Sequence, residues 1–123
     1  MIKDTSKQMA KIAVEALKEK KGYDIKLIDI SEISILADYF IIANGGNANQ
    51  VQAMVDNVEE QMYKAGFETP KVEGYNNASW ILLDYKDVVI HVFDEESRSF
   101  YNLERLWRDG KEIAVEEIWF YKK

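Results

Sequence analysis

The stretch ADYFIIANGGNANQVQAMVDNV, residues 37–58, joins an apolar run to an amphipathic pattern through two adjacent glycines. The middle of "ADYFIIAN" is almost entirely apolar, which predicts a central β-strand covered on both sides. "GG" then breaks the strand, and Asn47 or Asn49 can cap a helix that ends at Gly66. The apolar face of that helix recurs at helical spacing in Val51, Met54, Val55, Val58 and Met62. A strand, a tight turn and a helix in this order predict an α/β fold.

A helix and a strand are predicted upstream of this stretch. Thr5 or Ser6 can cap the helix, and Gly22 is a natural stop. Its apolar residues fall on one face: Met9, Ile12, Ala13, Ala16 and Leu17. The segment "YDIKLIDIS", residues 23–31, follows. It alternates Ile25, Leu27 and Asp29 against Lys26, Ile28 and Ile30, which predicts a strand with one mostly buried face.

Three further strands and one further helix are predicted downstream. "KVEGY" is a short extended piece, and "WILLDY" and "VVIHVFD" form an antiparallel hairpin joined by Lys86 and Asp87. Ser97 or Ser99 can start the last helix, and the segment 111–123 is ambiguous between helix and strand. We therefore predict a single α/β domain over residues 1–110, with a mixed β-sheet of about five strands and helices packed on it, followed by a C-terminal extension, 111–123, of unclear role.

Composition narrows the class of protein. The 123 residues include no cysteine, which excludes disulfides, thiolate zinc sites and cysteine nucleophiles and fits a reducing cytoplasm. The net charge is -6, and no basic run exists beyond residues 18–21, so direct nucleic-acid binding is disfavoured. An acidic surface suits a basic protein partner, although solubility alone also explains it. No apolar run is long enough to span a bilayer. We expect a cytoplasmic protein.

The sequence offers little for catalysis or for metal binding. The pair Gly45–Gly46 fits neither the Walker nor the dinucleotide-binding pattern, and a tight turn explains it better. A nucleotidyltransferase would need two close carboxylates, but Asp84 and Asp87 lie three apart across a turn. Asp94, Glu95 and Glu96 are consecutive, so in a strand they would not share a face. We expect no metal site and no cofactor.

His91 is the single histidine, and it lies in the predicted strand "VVIHVFD". Alternation places it on one face with Val89 and Phe93. One histidine cannot form a multi-histidine zinc site, and no nucleophile motif accompanies it. A hydrogen-bonded packing role is therefore favoured over a role as ligand or base.

Aromatic residues are dense between residues 80 and 107. They are Trp80, Tyr85, Phe93, Phe100, Tyr101 and Trp107. Such residues build small cores, but Trp and Tyr are also enriched at the centres of protein interfaces. Composition alone supports a core and an interface about equally.

Three blocks in order resemble the ribosomal silencing factor family, the Iojap-like proteins, over about residues 9–109. They are "KKGYDIKLIDISEISILADYFIIANGGNANQVQA", "EGYNNASWILLDYKDVVIHVF" and "SRSFYNLERLW". The chain departs from the family pattern at Asn44 and Asn47, where serine is usual, and at Lys86, where glycine is frequent. None of these departures touches the aromatic positions.

The resemblance implies a translational repressor and not an enzyme. Family members bind a basic ribosomal protein, large-subunit protein fourteen, and thereby block joining of the two ribosomal subunits when nutrients are short. The implied fold is related in topology to nucleotidyltransferases. The alternatives are a Mg²⁺-dependent nucleotidyltransferase-like enzyme and an adaptor with a non-ribosomal partner. The free protein could also form a homodimer through an exposed aromatic surface.

The partner-binding residues that we predict on this basis combine aromatic anchors with acidic groups that would steer a basic partner. Trp80 and Tyr101 are the predicted anchors. We expect His91 to contact the partner or support the surface, and Arg98 to fix the local loop by pairing with an acid. The full predicted set is Trp80, Asp84, Tyr85, His91, Phe93, Glu95, Glu96, Arg98, Tyr101 and Glu104.

Overall fold

The computed structural model describes residues 2–101 and 110–114, with side chains beyond Arg98 described only for residues 110–114. These residues form three helices and six strands. In chain order they are α1 (Asp4–Glu19), β1 (Tyr23–Asp29), β2 (Tyr39–Gly45), α2 (Ala48–Lys64), β3 (Lys71–Glu73), β4 (Trp80–Asp84), β5 (Val88–Asp94), α3 (Glu95–Tyr101) and β6 (Lys111–Ile113). The predicted single α/β domain with a mixed sheet is confirmed.

The six strands form one sheet in the order β3-β4-β5-β2-β1-β6. The central pair, β2 and β5, is parallel, and the other four pairings are antiparallel. All seven residues of β2 are buried, as expected for a strand that is covered on both sides. β4 and β5 form the predicted hairpin, in which Lys86 has a positive φ of 75°. The sequence pattern therefore located the centre of the sheet correctly.

α1 and α2 pack together on one side of the sheet and build the larger core. Asn57 of α2 ties the two helices, because its side-chain amide donates to the Ala16 carbonyl at 2.9 Å and to Glu19 at 2.8 Å. The predicted apolar face of α2 is confirmed. The fully buried members of this core include Ala13, Val14 and Leu17 of α1, Val51, Met54, Val55 and Val58 of α2, and Ile41, Ile81, Leu83, Ile90 and Val92 of the sheet.

We call the opposite side of the sheet the outer face. Residues that pair across strands share a face, so the register defines this surface row by row. One row runs Ile28, Phe40, Val89 and Asp84 across β1, β2, β5 and β4. The next row runs Ile42, His91 and Leu82, and the last Asn44, Phe93 and Trp80. A smaller apolar core lies here, made of Ile28, Ile30, Ala37, Phe40, Ile42 and Phe93.

Several predicted details were wrong. α1 begins at Asp4 without a side-chain cap, and Ser6, a predicted cap, is instead buried and donates to Asp38 at 2.7 Å. α3 begins at Glu95 and not at Ser97 or Ser99, because Asp94 accepts a 2.8 Å hydrogen bond from the Ser97 backbone. β1 buries residues on both faces, since the outer face has its own core.

The described residues contain six strands where about five were predicted. The additional strand, β6, comes from the segment whose pattern was ambiguous, and it pairs with β1 at the edge of the sheet. Its pairing partner lies about eighty residues away in the chain, so its three residues carry little local signal. No helix in the described ranges is long and apolar enough to cross a membrane.

Asn47 is the N-cap of α2, which confirms the first of the two predicted alternatives, Asn47 or Asn49. Its side-chain oxygen accepts a hydrogen bond from the Gln50 backbone at 2.9 Å. We expect Asn47→Ala to lower the free energy of unfolding by about 1 kcal/mol, because the substitution leaves a helix N–H without its partner. Urea unfolding measures this. Asn49→Ala is the matched control and should change stability little; equal losses from both variants would contradict the assignment.

Candidate protein interface

Trp80 and His91 form the centre of the outer face. They lie on neighbouring strands of the β4–β5 hairpin, and Trp80 Nε1 donates to His91 Nδ1 at 2.9 Å. The indole ring also stacks on Phe93, with ring centroids 5.3 Å apart and an interplanar angle of 24°. Trp80 is half-buried, whereas His91 and Phe93 are buried. The sheet thus holds one large aromatic ring at the surface in a fixed orientation.

His91 is packed among aromatic rings and is not placed for catalysis. Its ring centroid lies 4.4 Å from that of Phe40 and 5.8 Å from that of Trp80. Burial lowers the pKa of His91 to about 4, so the imidazole is neutral at pH 7. A neutral imidazole whose Nδ1 accepts from Trp80 carries its proton on Nε2. The predicted role as a hydrogen-bonded packing residue is confirmed.

The lowered pKa of His91 makes stability depend on pH. In the unfolded chain a histidine titrates near 6.5, while in the folded protein this one titrates near 4. Burial of the neutral ring therefore stabilises the fold fully above pH 6.5, and that stabilisation is lost as pH falls from 6.5 to 4. The difference corresponds to roughly 3 kcal/mol. We expect the stability difference between the wild type and His91→Asn to shrink by an amount of this order over that range.

Nuclear magnetic resonance checks the same prediction directly, because the chain has a single histidine. Its ring proton shift should report a midpoint well below 6. A midpoint at the ordinary value, near 6.5, would mean that the ring is solvated and that Trp80 is not held as described.

On β4 and β5, the outer face has three further half-exposed side chains besides Trp80. They are Leu82, Asp84 and Val89, and together with Trp80 we call them the Trp80 patch. Leu82 and Val89 were not among the predicted partner-binding residues, although strand alternation from Trp80 and His91 would have identified both. Asp84 also accepts a 2.8 Å hydrogen bond from the Lys86 backbone, which fixes its carboxylate at the rim of the patch.

The remaining predicted residues separate into three groups. Tyr85 lies on the helix side of the sheet, where burial raises the pKa of its hydroxyl, so it does not join the Trp80 patch. Glu95 and Glu96 are exposed in the first turn of α3. The side chains of Tyr101 and Glu104, like those of Phe100, Leu103 and Trp107, lie outside the described residues.

Arg98 joins α3 to the end of β2. It is buried, and its Nη1 donates to the side-chain oxygen of Asn44 on the outer face. Tyr23 lies at the same end of the sheet, where burial and the neighbouring Glu95 raise the pKa of its hydroxyl. Asn44 is thus the acceptor through which Arg98 ties α3 to β2.

The glycine turn before α2 is closed by the protein itself. Gly46 N–H donates to Gln50 Oε1 at 2.7 Å, and the same side chain donates to the carbonyls of Lys20 and Lys21. A side chain at Gly45 would approach Val51 Cγ2 to 2.9 Å, so this glycine allows close packing of helix on strand. In a phosphate loop, backbone N–H groups remain available to bind the ligand. Here the Gly46 N–H is already hydrogen-bonded to a side chain of the protein.

The carboxylates near the hairpin have structural partners. Asp87 forms an ion pair with Lys3 at 2.9 Å, and Asp94 caps α3. Within residues 2–101 and 110–114, no three histidine, aspartate or glutamate side chains lie together as a metal site would require.

Comparison with known proteins identifies the family of the chain. Residues 3–122 match the family described as ribosomal silencing factor during starvation. The chain belongs to the ribosomal silencing factor family. It is 44% identical over 104 residues to ribosomal silencing factor RsfS of Bacillus subtilis, covering 85% of this chain and 88% of that protein. It is also 31% identical over 108 residues to the chloroplastic protein Iojap of Arabidopsis thaliana, covering 88% of this chain and 43% of that protein.

The fold is likewise that of a solved structure. A crystal structure of a protein from Chromobacterium violaceum superposes with a TM-score of 0.80 at 33% identity, covering 91% of this chain and 96% of that one. The prediction of a ribosomal silencing factor that is not an enzyme is confirmed by membership of this family. The family match includes most of the segment after Gly110, to which β6 belongs.

Proposed function

We propose that this ribosomal silencing factor binds the large ribosomal subunit through the Trp80 patch and thereby blocks joining of the small subunit, damping translation during nutrient limitation. The direct partner that we propose is large-subunit protein fourteen, a basic protein. The observation that carries the proposal is Trp80, a half-exposed indole held by a 2.9 Å hydrogen bond to a buried histidine. A large ring that is already ordered before binding loses little entropy on binding.

The composition of the patch fits such a contact. Trp80, Leu82 and Val89 supply apolar area at its centre, and Asp84 lies at its rim. Burial of the centre favours association, and tryptophan is among the residue types that are enriched at interface hot spots. An aromatic centre with a charged rim is the usual anatomy of a protein interface.

The negative charge of the chain favours the approach of a basic partner. The chain has a net charge of -6, and Glu95 and Glu96 are exposed at the start of α3, close to the end of β5 that carries Phe93. Opposite potentials accelerate the encounter of an acidic and a basic protein, mainly through the association rate. His91, Phe93 and Arg98 are buried, so in our proposal they support the surface and do not touch the partner.

We also propose that the chain acts in the cytoplasm and that its topology is related to that of nucleotidyltransferases. The parallel β2–β5 pair with a glycine turn entering α2 supports the topological relation. The self-closed turn at Gly46 argues that a nucleotide does not bind there. A homodimer through the Trp80 patch would compete with ribosome binding, because both would bury the same residues.

Binding to two purified targets tests the proposal. The chain should sediment with isolated large subunits and not with small subunits, and it should also bind isolated large-subunit protein fourteen. Failure to bind large subunits would contradict the proposed function. Binding to large subunits without binding to isolated protein fourteen would reject the proposed partner while leaving the ribosomal target in place.

A further inference from the structure

The loop between β1 and β2 exposes an unusual amount of apolar surface. Ile35 is 101% exposed, Leu36 81% and Ile33 45%. Single exposed apolar residues are common on soluble proteins, but consecutive large aliphatic side chains directed into solvent indicate a contact site. Neither the hairpin nor the Trp80 patch includes these residues.

The loop is ordered by its own hydrogen bonds. Backbone N–H groups of Ile33 and Ser34 donate to the Ile30 carbonyl at 3.0 and 2.9 Å, and Leu36 N–H donates to Ser34 Oγ at 3.1 Å. At its start, Ser31 donates to Asp29 through both its backbone and its hydroxyl. The exposed side chains are therefore presented on a fixed backbone, which reduces the entropy that binding would cost.

The loop is continuous with the outer face. Both of its ends, Ile30 and Ala37, are buried in the outer-face core with Phe40, and Trp80 and Val89 pack against the same core. The backbone of Ile30 also donates to the Asp38 carbonyl at 2.9 Å, which closes the loop. A partner seated on the Trp80 patch would thus find Ile35 and Leu36 at one end of the same sheet face.

We propose that Ile35 and Leu36 are a second anchor of the silencing contact and insert into an apolar pocket with a basic rim on the large-subunit protein that binds the Trp80 patch. This inference rests on the proposed function. Between residues 29 and 38 the chain carries three carboxylates, Asp29, Glu32 and Asp38, and no lysine or arginine. Lys111 of β6 lies beside the loop, but one lysine against three carboxylates leaves this region acidic. A basic protein therefore complements the loop better than RNA does.

A second copy of the chain is a poorer occupant. Two such loops facing each other would bring like charges together, which opposes association. Three aliphatic side chains also offer far less area than the roughly 800 Å² per partner of a stable interface. The loop suits an extension of a larger contact better than a dimer interface of its own.

The double substitution Ile35→Ser with Leu36→Ser tests this inference. We expect it to weaken binding to purified large subunits by about tenfold or more while leaving the thermal unfolding midpoint unchanged, since both side chains are exposed in the free protein. Tyr63→Ser is the matched control. Tyr63 is also a large exposed side chain, 74% accessible, but it lies on α2, on the other side of the sheet, and its loss should change binding by less than twofold.

Three other outcomes would overturn the inference. If Trp80→Ala weakens binding while the double variant binds within twofold of wild type, the loop is outside the contact. If the double variant converts a dimer to a monomer in sedimentation velocity without weakening subunit binding, the loop serves self-association. If wild-type protein does not bind large subunits at all, the proposed function fails, and this inference fails with it.

Discussion

Trp80→Ala should weaken binding to the large ribosomal subunit by about 30-fold, or roughly 2 kcal/mol. The substitution removes a half-exposed ring that the outer face holds in a fixed orientation, through the hydrogen bond to His91 and the stack on Phe93. The half-exposed part of the ring is solvated in the free protein and would be buried by the partner in the complex. Equilibrium binding to purified large subunits measures the effect.

Trp80→Phe is the matched control for this prediction. It retains an aromatic ring over Phe93 but removes the indole N–H that donates to His91, so it should lose affinity to a smaller degree than alanine. Circular dichroism and thermal unfolding would establish that both variants remain folded. A loss of less than about twofold for Trp80→Ala would reject Trp80 as the anchor of the contact.

Phe93→Ala should destabilise the fold by about 3 to 5 kcal/mol. Phe93 is fully buried, and its ring lies beneath Trp80 in the outer-face core. Alanine would remove the apolar contacts of the ring and leave a cavity. The outer-face core is small, so few neighbouring side chains could move in to fill that cavity. Urea unfolding measures the loss.

Phe93→Leu separates loss of volume from loss of the aromatic stack. It fills most of the cavity and should be considerably milder than alanine. If Phe93→Ala lowered the free energy of unfolding by less than about 1 kcal/mol, the outer face would not be a packed core, and the fixed orientation of Trp80 would lose its support.

Local signals were sufficient for the central elements of the fold. The apolar run of β2, the glycine turn and the periodic apolar face of α2 each appear within one short stretch, and the hairpin alternates with period two. The sequence around the N-terminus of α3 did not indicate a single capping residue. Ser97, Ser99 and Asp94 are all acceptable caps, and only the geometry at the end of β5 selects Asp94.

The candidate interface was only partly predictable for a different reason. Alternation along "WILLDY" already places Leu82 on the same face as Trp80 and Tyr85 on the opposite face. This part of the candidate interface could therefore be predicted from the sequence. Exposure of Ile35 and Leu36 was not, because aliphatic residues beside a buried strand are ordinarily expected inside. Arg98 depends on Asn44, which lies 54 residues away in the chain, and no local pattern encodes that contact.

The most direct test of the account is subunit joining. Purified large and small subunits would be mixed at low-millimolar Mg²⁺ with and without the chain and separated by sedimentation. We predict that wild-type protein travels with the large subunit and depletes the joined ribosome peak, and that Trp80→Ala at the same concentration leaves most of that peak intact. A joined peak that stays unchanged while the large subunit is saturated with wild-type protein would contradict silencing by occlusion of the joining face.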